Sequence, residues 1–428
     1  MDKHIKNQLK GKRLLLLGGS LWKDAIKKIA DEYEIVLVAT GNSQNAGIFE
    51  IASEQYQVNS TDAEEMKKLI IEKKIDGVYM GGNEAVISAA CVYLNELGLP
   101  CYCKKNQWDA LQDKRIFKEL CIRHNLPCVP EVKLEQVCEE NVEFPVITKP
   151  ADGCGSSGFK VCHNAKELKE GITKARTNSP TKQVIVEKFV KNDGVVVFYT
   201  ISKGKLYFSG LEDKYPVRYK EHGSYVGGLF VFESSLKEIF REKFEKNISD
   251  LVADLGIKEG SFWIEVFYDG SDFYFNEAGY RYGGSASIYP INYMYGINQV
   301  AADIFYALTG KSEIKNFISI IPEKVMKKKY YAVYPLYSRA GKVSEISGYL
   351  TLQKSPEIVT VISKISLQDE IKESGTFSQA VTLIHFVFDD INELQGTIEK
   401  IHNVYKVLDQ DGNNMIERML NIKNVSLK

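Results

Sequence analysis

The sequence predicts a parallel α/β domain followed by an α+β domain built on antiparallel sheet. Over residues 1–106, short apolar strands alternate with amphipathic helices, which is typical of a parallel sheet with helices on both faces. Beyond residue 128, short strands separated by turn residues follow one another, and this pattern favours antiparallel pairing. From Tyr330 the chain is again mostly strand, with a helix near Asp390 to His402.

Apolar periodicity and turn residues predict the individual elements. In the first domain the predicted strands cover 13–19, 34–40 and 76–82, and the predicted helices begin near Trp22, Asp62 and Ala85. One further helix is predicted over 107–124, closed by Asn125-Leu-Pro127. In the second domain the predicted strands cover 132–134, 146–149, 159–162, 184–190, 195–202 and 205–209, and the predicted helices 165–175 and 236–255.

The balance of charges narrows the class of protein. The 428 residues include 55 basic and 56 acidic side chains, a net charge of −1, which argues against a general nucleic-acid binder. No segment resembles a secretory signal or approaches the ~20 apolar residues that cross a bilayer, so we expect a cytoplasmic protein without a membrane partner. The eight cysteines lie between positions 91 and 162 and are expected to be reduced thiols, without zinc spacing.

A glycine-rich loop, Gly153-Cys-Gly155-Ser156-Ser157-Gly158, satisfies the pattern G-x-G-x-x-G. A dinucleotide-binding fold requires a helix after such a loop, whereas here a strand follows, so the loop is expected to join two antiparallel strands as a flap. Its amides and hydroxyls suit phosphate, and Lys149, on the strand entering the loop, would pair with that anion. The alternative is a plain flexible hairpin loop.

Two neighbouring strands each carry a glutamate within an aromatic and aliphatic run. They are Phe262-Trp-Ile-Glu265-Val-Phe-Tyr268 and Phe273-Tyr-Phe-Asn276-Glu277-Ala278, joined by a hairpin signal. Two such carboxylates repel each other, and Mg²⁺, which prefers oxygen ligands, would relieve the repulsion. Arg281 would place a guanidinium at the same mouth, where it suits a carboxylate or a phosphoryl group. The alternative is a structural ion pair between Glu277 and Arg281.

In their order along the chain, these features resemble the ATP-grasp carboxylate–amine ligases, and the resemblance covers nearly the whole chain. Thr148-Lys-Pro-Ala-Asp-Gly-Cys-Gly-Ser-Ser-Gly158 is similar to the phosphate flap of that family, and Val184-Ile-Val-Glu187-Lys-Phe-Val190 to its adenine-binding strand. Asp113-Lys114 is similar to the start of the ATP-grasp domain, and Asn276-Glu277 with Arg281 to its metal-binding segment.

The resemblance implies an ATP-grasp fold of three parts. These are a pre-ATP-grasp α/β domain over 1–106, an ATP-grasp domain over 107–326 and a strand-rich C-terminal subdomain over 327–428 that closes the active site. The middle part would comprise a flap subdomain at about 128–190 and a ligand-binding core at about 191–326. Among the branches of the family, the L-amino-acid ligases look nearest, because Gly341-Lys-Val-Ser-Glu-Ile-Ser-Gly348 resembles their C-terminal subdomain.

The resemblance also implies roles for individual residues. Lys149 and Arg281 would act in catalysis, Lys114 would join Lys149 on the nucleotide phosphates, and Glu265 and Glu277 would hold Mg²⁺, with Mn²⁺ as a chemical substitute. The remaining nucleotide contacts would come from the flap, the hinge beside adenine and a ribose contact: Gly153, Gly155, Ser156, Ser157, Gly158, Glu187, Lys188, Phe189, Val190 and Asp193.

Two positions depart from the pattern of the family. Gly279 stands two residues after Glu277, where many members have asparagine, so a second metal ion would be held differently. Gly194-Val-Val196 lacks the acidic ribose ligand of many members, so that role is empty or passes to Asp193.

The activity implied by the resemblance is an ATP-dependent ligation of a small carboxylate, such as an amino acid, to an amine through an acyl phosphate, with release of ADP and phosphate. A homodimer is compatible with it. One alternative is a purine-pathway or carboxylase-type ATP-grasp enzyme acting on bicarbonate or a phosphorylated amine. Another is a nucleotide-binding protein without catalysis.

Two groups of side chains have open roles. Tyr282, Tyr289, Tyr293 and Tyr295 would either line a pocket for a substrate side chain or belong to the core. Seven of the eight cysteines are expected to be packing residues, whereas Cys154, inside the phosphate loop, would be reactive and protected by bound ATP.

Overall fold

The computed structural model describes residues 3–43, 46–133, 142–151, 158–190, 194–219 and 225–427, and these contain three principal sheets. The first is a four-stranded parallel sheet in the order β3-β2-β1-β4, as predicted for the N-terminal domain. Its strands are β1 Arg13–Leu16, β2 Val36–Thr40, β3 Glu54–Tyr56 and β4 Gly77–Tyr79. Its helices are α1 Lys3–Leu9, α2 Lys23–Tyr33, α3 Ala63–Glu72 and α4 Glu84–Glu96.

The single helix predicted over 107–124 is wrong, because the chain forms two helices there. They are α5 Lys105–Gln112 and α6 Lys114–Arg123. Asp113, between them, has extended backbone angles, and its carboxylate accepts hydrogen bonds from the amides of Arg115 and Ile116. An aspartate cap of this kind starts a new helix and places Lys114 in its first turn.

The second sheet is small and antiparallel. Its strands, in the spatial order β6-β5-β7, are β5 Val146–Pro150, β6 Lys160–Cys162 and β7 Val184–Lys188. Helix α7, Ala165–Asn178, packs against it. The strands on either side of the glycine-rich loop pair antiparallel, as predicted, although residues 152–157 lie outside the described part of the chain.

The third sheet has nine strands and is antiparallel. Its main path runs β12-β11-β8-β9-β10-β13-β18-β16. The strands from the middle of the chain are β8 Val195–Ser202, β9 Lys205–Arg218, β10 Tyr225–Phe232, β11 Gly260–Tyr268 and β12 Phe273–Gly279. Strand β9 continues well beyond the predicted 205–209 and forms a long hairpin with β10, which the sequence did not predict.

Helices cover both faces of this sheet. They are α8 Lys237–Asp254, α9 Ile288–Tyr295 and α10 Gln299–Thr309. Helix α8 shares a core with Val195 and Val197 of β8, whereas α9 and α10 share one with Val196 and Phe198. Alternate residues of a strand face opposite sides, so the sheet separates two cores.

The C-terminal region extends the nine-stranded sheet. Residues Phe230, Val231 and Phe232 of β10 pair with Val333, Ala332 and Tyr331 of β13. The C-terminal strands are β13 Tyr330–Ser338, β14 Gly341–Lys342, β15 Glu345–Ser347, β16 Ile358–Ser363, β17 Glu370–Ile371, β18 Ala380–Phe388, β19 Lys406–Leu408 and β20 Ile416–Glu417. Strand β20 pairs with β13, and two short pairs, β14 with β17 and β15 with β19, stand apart. The helices are α11 Tyr349–Lys354 and α12 Ile391–Val404, and within the described ranges none of the helices is long and apolar enough to span a bilayer.

Candidate active site

A cavity of about 550 Å³ lies where the small sheet meets the nine-stranded sheet. Its charged lining combines four lysines, three glutamates and one arginine: Lys114, Lys149, Lys188, Lys214, Glu212, Glu265, Glu277 and Arg281. Thr376 and Phe377 of the C-terminal region complete the wall. The structure therefore brings together Lys114, Lys149, Glu265, Glu277 and Arg281, which come from distant parts of the sequence.

A single row of backbone partners carries the acidic residues of the cavity. Glu277 of β12 lies opposite Glu265 of β11, and Glu265 lies opposite Val196 of β8. Val196 in turn lies opposite Glu212 of β9. Because directly paired residues of an antiparallel sheet present their side chains on the same face, the three glutamates share the face that lines the cavity.

Glu265 is held by two donors of the same sheet. The Lys214 Nζ lies 2.5 Å from Glu265 Oε1, and the Asn276 Nδ2 donates to Glu265 Oε2 at 2.7 Å. Burial works against ionisation of Glu265, but the positive charge of Lys214 prevails and lowers the pKa of Glu265 below its usual value. Lys214 was not among the predicted site residues, although it stands two residues after Glu212 on the same strand, and alternate residues of a strand share a face.

Lys149 is held between the two sheets. Its Nζ lies 2.6 Å from Glu187 Oε2 of the small sheet and donates to Asn276 Oδ1 of β12 at 3.0 Å. Lys118 of α6 lies 2.9 Å from the other oxygen of Glu187. Burial opposes ionisation of Glu187, yet the two lysines keep its pKa below the usual value. The Glu187 side chain thus orients Lys149, a role that the sequence did not indicate.

Lys114 and the predicted adenine hinge lie on the same cavity. The Lys114 Nζ is 3.4 Å from Glu277 Oε2. Lys188, Phe189 and Val190 line the wall, and the amides of Lys188 and Phe189 donate to the carbonyl oxygens of Pro130 and Pro145, both at 3.0 Å. These bonds fix the end of β7 and hold the hinge in place.

Gly158 closes the glycine-rich loop in a conformation that requires glycine. Its φ is +77°, and a Cβ at this position would lie 2.8 Å from Pro150 Cγ. The other predicted flap residues (Gly153, Gly155, Ser156 and Ser157) and Asp193 lie outside the described residues.

Arg281 pairs with the N-terminal domain. Its Nη2 lies 2.5 Å from Glu84 Oε1, at the first residue of α4, and its guanidinium lies 5.3 Å from the ring centre of Trp263. The alternative of a structural ion pair between Arg281 and Glu277 is therefore wrong, because the partner of Arg281 is Glu84. Its Nη1 donates to the carbonyl oxygen of Tyr282 at 2.9 Å, and the side chain lines the cavity.

The indole of Trp263 explains why glycine stands at position 279. Trp263 and Gly279 are paired residues of β11 and β12, and a Cβ on Gly279 would lie 2.3 Å from Trp263 Cε2. An asparagine at this position would collide with the ring. The indole of Trp263 thus occupies the space that a side chain at position 279 would need.

The donor set fits a divalent cation that also takes oxygens from a substrate. Glu265 and Glu277 offer carboxylates from opposed positions, and the described residues contain no cluster of three or more His, Cys, Asp or Glu side chains suited to a metal. Mg²⁺ commonly binds through one or two carboxylates plus phosphate and water. The two glutamates therefore fit Mg²⁺ bound together with a nucleotide.

The four tyrosines considered for a substrate pocket are not part of the cavity lining. Tyr282 donates to Asp303, Tyr293 to the carbonyl of Met326 and Tyr295 to Glu233, and Tyr289 packs edge-on against His385. Tyr282 and Tyr289 are core residues, as one of the two alternatives expected, whereas Tyr293 and Tyr295 are only partly buried. Of the seven cysteines expected to be packing residues, Cys91, Cys103, Cys121 and Cys162 are buried and Cys101 and Cys128 are partly buried, whereas Cys138, like Cys154, lies outside the described ranges.

Comparisons with known proteins agree with this architecture. Residues 113–196 match the family described as "Carbamoyl-phosphate synthase L chain, ATP binding domain". The phosphoribosylamine–glycine ligase of Methanopyrus kandleri is 24% identical over 260 residues, which span 56% of this chain and 58% of that relative.

Two solved structures have the same fold over almost the whole chain. The L-amino acid ligase of Bacillus licheniformis superposes with a TM-score of 0.73 at 16% identity, covering 94% of this chain and 99% of the other. The biotin carboxylase domain of Hydrogenobacter thermophilus 2-oxoglutarate carboxylase, in complex with MgADP and bicarbonate, gives a TM-score of 0.75 at 16% identity, covering 95% and 91%. The chain therefore has the ATP-grasp fold of these structures.

Proposed function

We propose that the chain is an ATP-dependent, ADP-forming ligase that joins a carboxylate to an amine through an acyl phosphate. The observation that carries this proposal is the shared lining of one cavity by the opposed Glu265 and Glu277, by four lysines and by Arg281. Transfer of a phosphoryl group to a carboxylate needs cationic groups and metal ligands rather than a nucleophilic side chain.

Different residues of the cavity would bind different parts of ATP and its metal ion. Lys149 and Lys114 would contact the phosphates of ATP, and Lys188, Phe189 and Val190 would lie along adenine. Mg²⁺, when bound, supplies neutralisation of phosphate charge, and Glu265 and Glu277 would hold it. Lys114 already pairs with Glu277, and Lys149 with Glu187. The charges are therefore arranged before the nucleotide binds.

Arg281 would hold the acyl phosphate while the amine attacks. In the first step a carboxylate oxygen bonds to the γ-phosphorus and the bond to ADP breaks. In the second step the amine nitrogen bonds to the acyl carbon, phosphate leaves and the amine proton passes to solvent. Residues 152–157 would cover the phosphates and exclude water that would hydrolyse the intermediate.

The relatives support amino acids and other small carboxylates as substrates. The names of the Methanopyrus and Bacillus proteins refer to glycine and to L-amino acids. The Hydrogenobacter structure contains bicarbonate, which keeps a carboxylase-type reaction as the second candidate. The domain boundaries, a cytoplasmic location, a homodimer and the use of Mn²⁺ are part of the proposal.

A matrix of candidate substrates tests the proposed function. ADP and phosphate release are measured with ATP and Mg²⁺ against the amino acids singly and in pairs, and against bicarbonate and phosphorylated amines. We expect release that depends on both a carboxylate and an amine. Release with bicarbonate alone would replace the ligase by the carboxylase-type reaction, and nucleotide binding without ADP release on any mixture would favour a non-catalytic protein.

A further inference from the structure

Glu212 is a buried carboxylate of the cavity wall with one unused oxygen. Its side chain is 1% exposed and lines the cavity. The Ser285 hydroxyl donates a hydrogen bond to the carboxylate, but no donor among the described residues reaches its Oε2. A buried acid with an unmatched oxygen is costly, so its retention on a cavity wall points to a ligand.

The neighbouring carboxylates differ from Glu212 in this respect. Glu265 has Lys214 on one oxygen and Asn276 on the other, and the two oxygens of Glu187 form ion pairs with Lys118 and Lys149, whereas Glu212 forms no ion pair with any described residue. Lys214 lies two residues from Glu212 on β9, yet its ammonium is bonded to Glu265. The ammonium groups of Lys118, Lys149 and Lys214 are therefore already paired with other carboxylates.

The position of Glu212 separates it from the metal ligands. Glu212 and Glu265 belong to one row of paired residues with β8 between them, and two strand spacings place their Cα atoms about 10 Å apart. At that distance Glu212 stands beside the phosphate-binding groups rather than among them. Glu212 thus lines the cavity two strands away from Glu265, the nearer of the two proposed metal ligands.

We infer that Glu212 binds a positively charged nitrogen of a substrate, an ammonium group that donates to the unused oxygen. The ribose and adenine of ATP offer only neutral donors and its phosphates repel a carboxylate, whereas an ammonium supplies both the missing donor and the compensating charge. Two substrate groups could supply this ammonium. They are the amino group of the acid that is phosphorylated and the amine that attacks the acyl phosphate. The inference rests on the proposed ligase function and specifies its substrate class.

The test compares Glu212→Gln with the wild type in two assays. In the first, the acid and ATP react with hydroxylamine, which traps the acyl phosphate as a hydroxamate, so only the acid can use Glu212. In the second assay, the amine that supports ADP release in the substrate matrix replaces hydroxylamine. We expect Glu212→Gln to raise KM about 10- to 100-fold for the nitrogen-bearing substrate, with the affinity for ATP unchanged.

The two assays identify the source of the ammonium. A raised KM for the acid in both assays assigns Glu212 to the amino group of the acid, and a raised KM for the amine in the second alone assigns it to the attacking amine. Unchanged KM values for both substrates would overturn the inference. Glu212→Asp, which keeps the charge, should retain part of the affinity.

Stability measurements separate binding from a structural role. Because Glu212→Gln removes a buried ionisable group, its melting temperature should equal or exceed that of the wild type. The matched control is Glu259→Gln, a buried glutamate that accepts from the Lys203 amide and from Ser312, away from the cavity, and it should leave both KM values unchanged. A fall in melting temperature for Glu212→Gln with unchanged KM would also overturn the inference.

Failure of the ligase proposal can be told apart from failure of this inference. If the wild type releases no ADP from any mixture, the proposed function is wrong. Calorimetry of the same amino acids and amines, with a non-hydrolysable ATP analogue present, then tests Glu212 alone. Binding that is equal in the wild type and in Glu212→Gln would reject the ammonium site.

Discussion

The small sheet and the nine-stranded sheet contribute to the cavity in similar ways but are stabilised very differently. Each supplies a lysine–glutamate pair, Lys149 with Glu187 on one side and Lys214 with Glu265 on the other. The small sheet, with α7, has a buried core of six side chains, whereas the nine-stranded sheet separates two far larger cores. A sheet with so little apolar burial depends more on its ion pairs and on its ligand.

The largest expected effect concerns the nine-stranded side. Glu277→Gln should lower ADP release about 100-fold or more, because it removes one of the two opposed carboxylates that we propose hold Mg²⁺. The fold should survive, since Glu277 is partly exposed and its lysine partner Lys114 can turn to solvent. Turnover under saturating ATP and Mg²⁺, with a melting curve for each protein, measures this.

The surface variant Glu170→Gln, which removes a half-exposed partner of Lys160, is the control and should keep full activity. If Glu277→Gln turned over like the wild type at every Mg²⁺ concentration, the metal assignment would be wrong. The nine-stranded sheet would then supply only a scaffold.

A smaller effect is expected from the small sheet. Lys149→Met should weaken ATP binding about 10- to 100-fold, because it removes a charged phosphate donor, and should destabilise the protein by leaving Glu187 with one partner. Adding Glu187→Gln should recover stability without recovering ATP binding. Calorimetric titration with ATP and thermal melting measure the two effects separately.

Lys160→Ala is the matched control, because Lys160 lies on the adjacent strand β6 and pairs with Glu170 on the surface. Its ATP affinity should equal that of the wild type. Equal ATP titrations of Lys149→Met and wild type would contradict the assignment of Lys149 to the phosphates.

The smallest effect is a difference in acid stability. The pKa of Glu187 in the folded protein lies below its ordinary value of 4.5, so its ion pairs stabilise the fold fully above that pH. The stabilisation is lost as the pH falls through the lowered pKa. Glu265 shifts in the same direction but lies on the better-supported sheet.

We therefore expect β5 and β7 to lose hydrogen-exchange protection below about pH 4.5, before β8 and β11 do, once intrinsic exchange rates are corrected. Leu168→Ala, which truncates a buried residue of the small core at a cost of about 2–5 kcal/mol, should move this loss to higher pH. Simultaneous loss of protection in both sheets would show that they form one cooperative unit.

The small sheet and the nine-stranded sheet also differ in how well the sequence predicts their site residues. Lys149 and its loop follow from local signals, and Glu265 with Glu277 follow from a hairpin of adjacent strands. Lys214 and Glu212 were missed, because the face that a long strand presents depends on pairing with β8 and β10, which are distant in the sequence. Their roles, like those of the predicted residues, await the experiments above.

Other misses have equally physical causes. The partner of Arg281 is Glu84, 197 positions away, and only tertiary structure brings them together. The need for glycine at position 279 depends on Trp263, whose indole packs from β11 across β12. The break at Asp113 is different, because an aspartate before a charged turn is a local capping signal that the apolar periodicity concealed.

The continuity of the nine-stranded sheet limits how this protein can be modified. Strand β10 pairs with β13, so cutting the chain after residue 326 would not leave an intact domain. It would leave a row of unpaired backbone groups along β10, an open edge of the kind on which proteins aggregate. For domain exchange with other proteins of the ATP-grasp fold, the C-terminal region therefore has to be transferred together with the strand that receives it.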